Sequence, residues 1–240
     1  MPRFFTESID ETKGIICGDD AKHITKVLRM HPGEKLTACD CQGNDYDCVI
    51  QSLDEKQVEL AVERVYPSET EPSVSVTLYQ AMPKSDKMEL IIQKAVELGV
   101  SAIVPVQTKR CVSRPDAKSM AKKLERYNRI ALEAAKQCGR GRIPQVLPML
   151  DYGQALEAMK QDEKAILFYE NSTSSFRKEL EGAVSSLSIM VGAEGGFEEE
   201  EVKQALEQGI ASISLGKRIL RCETAPLAAL SIIMYETANM

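Results

Sequence analysis

Two loops hold most of the residues whose types and spacing could do chemistry. In the first, an apolar stretch at 188–191 runs into Gly192-Ala193-Glu194-Gly195-Gly196-Phe197 and then into four consecutive glutamates, 198–201. Three glycines in five residues permit backbone angles and close approaches that side chains would block. A glycine-rich loop before a helix usually suggests phosphate at the helix N-terminus. Here a phosphate would meet the carboxylates of Glu194 and of 198–201. The loop also lacks GxGxxG spacing and a P-loop lysine. A ligand without phosphate and with some positive charge fits better. The competing reading is a tight strand-to-helix turn whose acids complement the helix dipole. Taken alone, the first loop favours the turn.

The second loop reads Leu215-Gly216-Lys217-Arg218-Ile219-Leu220-Arg221-Cys222-Glu223-Thr224-Ala225-Pro226. Its cations flank Ile219 and Leu220, and apolar residues between cations suit the face of a flat ring. The alternative is a set of surface basic residues at a helix entry. Thr224 stands at an N-cap position, with Pro226 in the first turn, where its missing N–H costs little. The helix that follows is apolar on nearly every face, so it is expected to be buried against its own sheet and something further, such as a second subunit.

These loops need a scaffold. After a Pro/Ser/Glu-rich linker at 67–73, strand-like runs at 74–81, 102–106, 165–169, 187–191 and 210–215 alternate with helical runs at 85–98, 117–138, 152–159, 198–208 and 225–237. That alternation predicts an α/β domain over 73–240 with a mainly parallel sheet, in which ligands sit beyond the carboxyl ends of the strands. Before the linker, 1–70 reads as a small barrel or curled sheet. Its strands fall at 14–17, 35–40, 46–53 and 58–65, with a turn at 42–44 and one helix at 19–30.

Bulk properties narrow the class. The chain has 240 residues, 43% hydrophobic and 28% charged, the make-up of a globular protein. No apolar run reaches the length of a membrane span, and no secretory leader is read at the start. A cytoplasmic location is expected. The seven cysteines include no CxxC, and His23 and His31 are the only histidines, so reduced thiols and no metal are expected. Net charge is −6, but it is unevenly spread. Residues 73–150 carry 14 basic and 6 acidic side chains, while each flanking third carries 8 and 15. A polyanion could bind the basic middle and avoid the rest. A solvated face of the 118–142 region is the equal alternative.

The motifs 192–197 and 215–225 together resemble those of the bacterial 16S ribosomal RNA (uracil-N3) methyltransferases of the SPOUT superfamily. The segment Pro83-Lys84-Ser85-Asp86-Lys87-Met88-Glu89, with Ile92-Gln93-Lys94 and Glu97-Leu98-Gly99, is similar to the start of that family's catalytic domain, as are Pro105 and 108–112. His23-Ile24 and Val27-Leu28-Arg29-Met30 resemble its RNA-binding module. The likeness covers nearly the whole chain in order. Ala193 departs from a usual Pro, and Cys111 and Cys222 stand where small polar residues are common.

The resemblance implies a SPOUT-type α/β domain with a deep trefoil knot, a PUA-like β-barrel domain before it, and a homodimer. It implies methyl transfer from S-adenosylmethionine to N3 of a uridine in 16S rRNA of the small ribosomal subunit. A non-catalytic RNA-binding protein on the same fold, and a dinucleotide-dependent oxidoreductase, are the competing functions; the acidic helix start argues against the second. For the cofactor, the expected residues are Val191, Gly192, Glu194, Gly195, Gly196, Leu215, Gly216 and Leu220, with Ile219 on the adenine and Tyr169 and Glu170 as a third wall. Arg221 is expected to support charge developing on the uracil oxygens, and Glu223 to take the N3 proton. Glu223 has a structural alternative, pairing with Arg218 or Arg221. RNA phosphates would meet Arg3, Arg29, Lys84, Lys87, Arg110, Arg114 and also Arg140 and Arg142. His23 is either an RNA contact or a capping or core residue.

Overall fold

Five strands, β1 (Arg3–Phe5), β2 (Lys13–Cys17), β3 (Lys35–Cys39), β4 (Asn44–Leu53) and β5 (Gln57–Pro67), with one short helix α1 (Gly18–Lys22), build the first of two units. This unit comprises Met1–Glu71 and Ala135–Ile143, and the second comprises Pro72–Ala134 and Pro144–Met240. The chain is seen in a computed structural model that describes residues 1–174, 176–180, 182 and 184–240.

The first unit is a five-stranded sheet in the order β1-β3-β4-β5-β2, antiparallel except for the β1–β3 pair. It is not a barrel closed by β1–β2 pairing. Instead the 6–9 segment spans the gap: Thr6 Oγ1 donates to the Ile15 carbonyl and the Ile15 N–H to the Ser8 carbonyl. Ile16, Ile24, Leu36, Ile50 and Leu60 fill its core. The helix expected at 19–30 is shorter. α1 passes into a single π-helical turn, His23–Val27, and Arg29 has φ +53°. Ile24, Thr25 and Val27 are β-branched, and Pro32 drives His31 out of the α region.

The second unit contains β6 (Ser75–Ala81), α2 (Lys87–Glu97), β7 (Ala102–Gln107), α3 (Ala117–Cys138) up to Ala134, β8 (Gln145–Val146), β9 (Leu150–Asp151), α4 (Tyr152–Met159), β10 (Lys164–Phe168), α5 (Phe176–Glu179), β11 (Ser186–Val191), α6 (Glu199–Glu207), β12 (Ala211–Ile213) and α7 (Ala225–Glu236). Its seven-stranded sheet runs β12-β10-β11-β6-β7-β8, with β9 also on β7, and its strand pairs are parallel. β6 and β11 are almost continuously buried, as strands covered by helices on both faces must be.

The two-residue strands β8 and β9 and the four-residue α5 are too short to carry a periodic signal. β12 stops at Ile213, two residues before the expected end. There Ser214 Oγ accepts the Gly216 N–H, and Gly216 takes φ +111°. Within the single chain α7 is covered on one side only. Ala229, Leu230, Ile233 and Met234 are buried, while Ile232 and Tyr235 face outward, 38% and 71% exposed. Thr224 occupies the N-cap position, but its side chain makes no capping bond.

Candidate functional site

The carboxyl ends of the neighbouring strands β10, β11 and β12 deliver three loops to one place, and between them lies a pocket of about 440 Å³. Phe168, Tyr169 and Glu170 enter from β10, 191–196 from β11, and Ser214, Leu215 and Gly216 from β12. Arg218, Ile219, Leu220, Arg221 and Cys222 line it from the second loop, and Lys87 from α2. Each residue expected from the sequence to hold a cofactor lies on this wall.

The glycine loop is a cradle in the steric sense. A Cβ on Gly192 would stand 3.0 Å from the Gly196 Cα and 3.3 Å from the buried Phe197 ring. Gly196 sits at φ +64°, a region that disfavours L side chains. Beneath it Gln80, fully buried, donates from Nε2 to the Gly192 and Ala81 carbonyls. On the outer side Arg110 grips the loop, donating to the Gly195 carbonyl at 2.9 Å and forking onto both Glu198 oxygens.

The acids of this loop divide into two groups with different partners. Glu198 is the N-cap of α6. Buried Glu201 reaches back to its N–H at 2.9 Å in a capping box, and also accepts the Lys109 N–H at 2.9 Å. These carboxylates are committed to the architecture of the loop and helix. Glu194 faces the pocket. It accepts the Lys84 N–H, and Lys87 Nζ sits 3.2 Å from it and 3.2 Å from Glu223. Glu223 therefore pairs with Lys87, and Arg218 and Arg221 are not its partners.

This lysine bridge shapes the titration of the pocket. Partial burial works against ionisation of Glu194, but its own and the Lys84 N–H groups and the Lys87 ammonium outweigh it, and the carboxyl is held below its usual range. Glu223 follows the same pattern: burial opposes ionisation, and its own N–H, the Cys222 thiol and Lys87 prevail. The hydrogen bonds to Glu223 and then Glu194 raise the Lys87 pKa. Burial first, then the bond to Glu223, pushes the Cys222 thiol up to about 12, so it stays protonated.

The second loop presents different chemistry. Ile219 is 85% exposed at the pocket wall, an unusual placement for a large apolar side chain beside a concave surface. The Arg221 carbonyl accepts the Thr224 and Ala225 N–H groups, which fixes its backbone. Among the described residues its guanidinium makes no hydrogen bond or ion pair, and it faces solvent at the pocket edge.

The remaining expected RNA contacts are scattered. Arg3 forks onto Asp45 and donates to the Arg140 carbonyl, and Arg140 is buried on Glu71, so both serve the first unit internally. Arg142 donates to the Gln42 carbonyl. Arg114 donates to the Thr108 and Lys109 carbonyls. Arg29, Lys84 and His23 are exposed, with the His23 ring edge-on to Phe4. Lys87, expected from the sequence on an RNA phosphate, instead lines the pocket between Glu194 and Glu223. The signal in the sequence was charge alone, an acid in each of the two loops; their burial beside one cation is seen only in the structure.

Among the described residues no group of His, Cys, Asp or Glu is placed to hold a metal, and no helix is long and apolar enough to cross a membrane. Residues 69–234 match a family model described as an RNA methyltransferase domain, and 16–63 one described as an RNA methyltransferase PUA domain. The chain is 37% identical to the ribosomal RNA small subunit methyltransferase E of Bacillus subtilis, over 99% of this chain and 97% of that one. It is 29% identical to the protein of the same name from Mycobacterium bovis, over 98% and 92%. The crystal structure of ribosomal RNA small subunit methyltransferase E from Neisseria gonorrhoeae, bound to S-adenosyl methionine, superposes with TM-score 0.84 at 34% identity, covering 98% of this chain and 97% of that chain.

Proposed function

The chain belongs to the RNA methyltransferase family, and on that premise we propose that it transfers a methyl group from S-adenosylmethionine to N3 of a uridine in 16S ribosomal RNA. The observation that carries this reading is the pocket itself, where a glycine cradle, paired carboxylates and a free arginine meet at the ends of three parallel strands.

The residues present fit the cofactor. Main-chain groups of 191–196 and of Leu215, Gly216 and Leu220 would hold its adenosine and amino-acid ends, where side chains would collide. Ile219 offers an apolar face to the adenine, and Tyr169 and Glu170 complete the wall. Glu194 and Glu223 give the pocket the negative charge that suits a sulfonium and an ammonium. When bound, S-adenosylmethionine supplies an electrophilic methyl group on sulfur.

Uracil N3 must lose its proton as the methyl arrives, so negative charge grows on the ring oxygens. Arg221, with its guanidinium free and its backbone pinned, is assigned to that charge. Glu223 is held ionised by its own N–H, Cys222 and Lys87, which makes it a weak proton acceptor. Its role in this proposal is to fix Lys87 between the two loops, with the proton leaving to water.

The exposed Ile232 and Tyr235 of α7 support a homodimer built on that helix. A trefoil knot is part of the same proposal. The chain crosses from β11 past β10 to β12, and α7 then returns to pack on α2, with Asn239 accepting from the Ser73 N–H and hydroxyl. An enzyme of ribosomal RNA would act in the cytoplasm.

The test is deletion of the gene followed by mass spectrometry of 16S rRNA nucleosides. Loss of one N3-methyluridine is expected. Retention of every methylated uridine would refute the substrate. Calorimetry with S-adenosylmethionine separates the enzyme from a non-catalytic RNA-binding protein, for which no heat would be seen.

A further inference from the structure

A second recess of about 430 Å³ lies in the same unit, at the ends of β7 and β9, and none of the residues assigned above to the cofactor lines it. Its wall is made by Gln107, Thr108, Lys109 and Arg114 on one side and by Tyr152, Glu201 and Gln204 on the other. Its volume falls within the range of small-ligand pockets.

Three observations describe what it would take. First, Gln107 Nε2 is buried and has no hydrogen-bond partner. A buried amide donor left unsatisfied is costly, and a ligand acceptor would relieve it. Second, the acids on the wall are already committed. Glu201 accepts the Lys109 and Glu198 N–H groups, and Asp151 caps α4 by accepting the Gln154 N–H. Third, the charged side chains that remain available are cationic. Lys109 and Arg114 are exposed there, and Arg114 is anchored by Nη2 on the Thr108 and Lys109 carbonyls. An acceptor-rich, anionic ligand matches this set, and a nucleotide supplies both base carbonyls and phosphate.

Hydrogen bonds tie the recess to the loop that lines the cofactor pocket. Next to Thr108 and Lys109, which line it, Arg110 donates to the Gly195 carbonyl and Glu198, and Glu201 accepts the Lys109 N–H. The segment at the recess thus also braces the glycine loop.

We propose that this recess is a subsite for an unpaired nucleotide of the RNA strand that flanks the methylated one, with a base or phosphate oxygen accepting the Gln107 amide. The proposal rests on the reading of the chain as an RNA methyltransferase.

Gln107→Leu removes the donor while keeping the bulk, and it also removes an unsatisfied buried group, so the fold should be retained. With a single-stranded oligonucleotide carrying the substrate uridine and its neighbours, Gln107→Leu should raise the RNA KM about three- to tenfold, the worth of one hydrogen bond. kcat and the Kd for S-adenosylmethionine should not move. Gln107→Glu, which sets a carboxylate against the ligand, should raise the KM further. Arg114→Gln should weaken RNA binding and flatten its salt dependence. An RNA KM within twofold of wild type for both Gln107 variants would overturn the subsite. So would equal losses in cofactor Kd, because the wall would then only support the cofactor loop. If the wild-type chain itself transfers no methyl group, the reading of its function fails instead, and the two failures are distinct.

Discussion

Substituting Gly192 by alanine probes whether close backbone approach in the glycine loop holds the cofactor. The added Cβ would meet the Gly196 Cα at 3.0 Å, the Gly196 carbonyl carbon at 3.2 Å and a Phe197 ring atom at 3.3 Å. Favourable carbon contacts lie at roughly 3.5–4.0 Å. Two of the three neighbours are main chain, and Phe197 is buried, so no flexible side chain can swing away. The loop must open. Overpacking of this kind costs about 1–3 kcal/mol, equivalent to a fall of roughly 2–12 °C in the unfolding midpoint of a domain this size. Because 191–196 forms one wall of the pocket, the same displacement should raise the Kd for S-adenosylmethionine by about tenfold, which corresponds to ~1.4 kcal/mol. Gly209→Ala is the matched control. Gly209 has φ +82° and no atom within 4 Å of its Cβ position, and it lies outside the pocket. It should lose about 1–2 kcal/mol of stability from the left-handed backbone alone and keep its cofactor affinity. Calorimetry on both variants, with thermal unfolding alongside, reads the contrast. A folded Gly192→Ala protein whose Kd stays within twofold of wild type would refute the cradle.

Other perturbations follow from the same geometry. Arg221→Ala should leave cofactor Kd and unfolding midpoint near wild type and lower kcat by about 100- to 1000-fold, the scale for one donor to developing charge; near-normal turnover in a steady-state assay would remove Arg221 from the chemistry. The Lys87 bridge sets a pH window. Glu194 and Glu223 are held below 4.5, so their stabilisation is fully present above that value and lost as pH falls through the depressed range. Lys87 is raised above 10.5, so its share is fully present below that value and lost as pH rises through the raised one. Lys87→Met leaves two carboxylates without their cation, and the acid limb of cofactor binding should move to higher pH; an unmoved limb would show that the bridge does not control the pair. Tyr235→Glu with Ile232→Lys should convert a dimer to a monomer by sedimentation velocity, and an unchanged sedimentation coefficient would rule out that face.

Much of the architecture was legible because the signals were local. Five parallel strands and the helices between them show in the alternation of apolar runs, and the two loops stand out by glycine, acid and cation content. Single residues such as Gln80 gave no local signal, since a glutamine at the end of an apolar strand looks ordinary until Gly192 is seen above it. The short β8, β9 and α5 had no period to detect.

The sequence by itself determined that the first loop sets five acids beside its glycines and that the second mixes cations with apolar residues, because composition and spacing along a few residues suffice for both. Only the tertiary structure decided which acids face the pocket. Glu201 turns inward to cap α6 and Glu198 pairs with Arg110, while Glu194 and Glu223, 29 residues apart in the chain, meet across one lysine. The charge of a side chain is written in the sequence. Its partner is set by which strand ends the parallel sheet brings side by side, and crossover connections separate those ends widely along the chain.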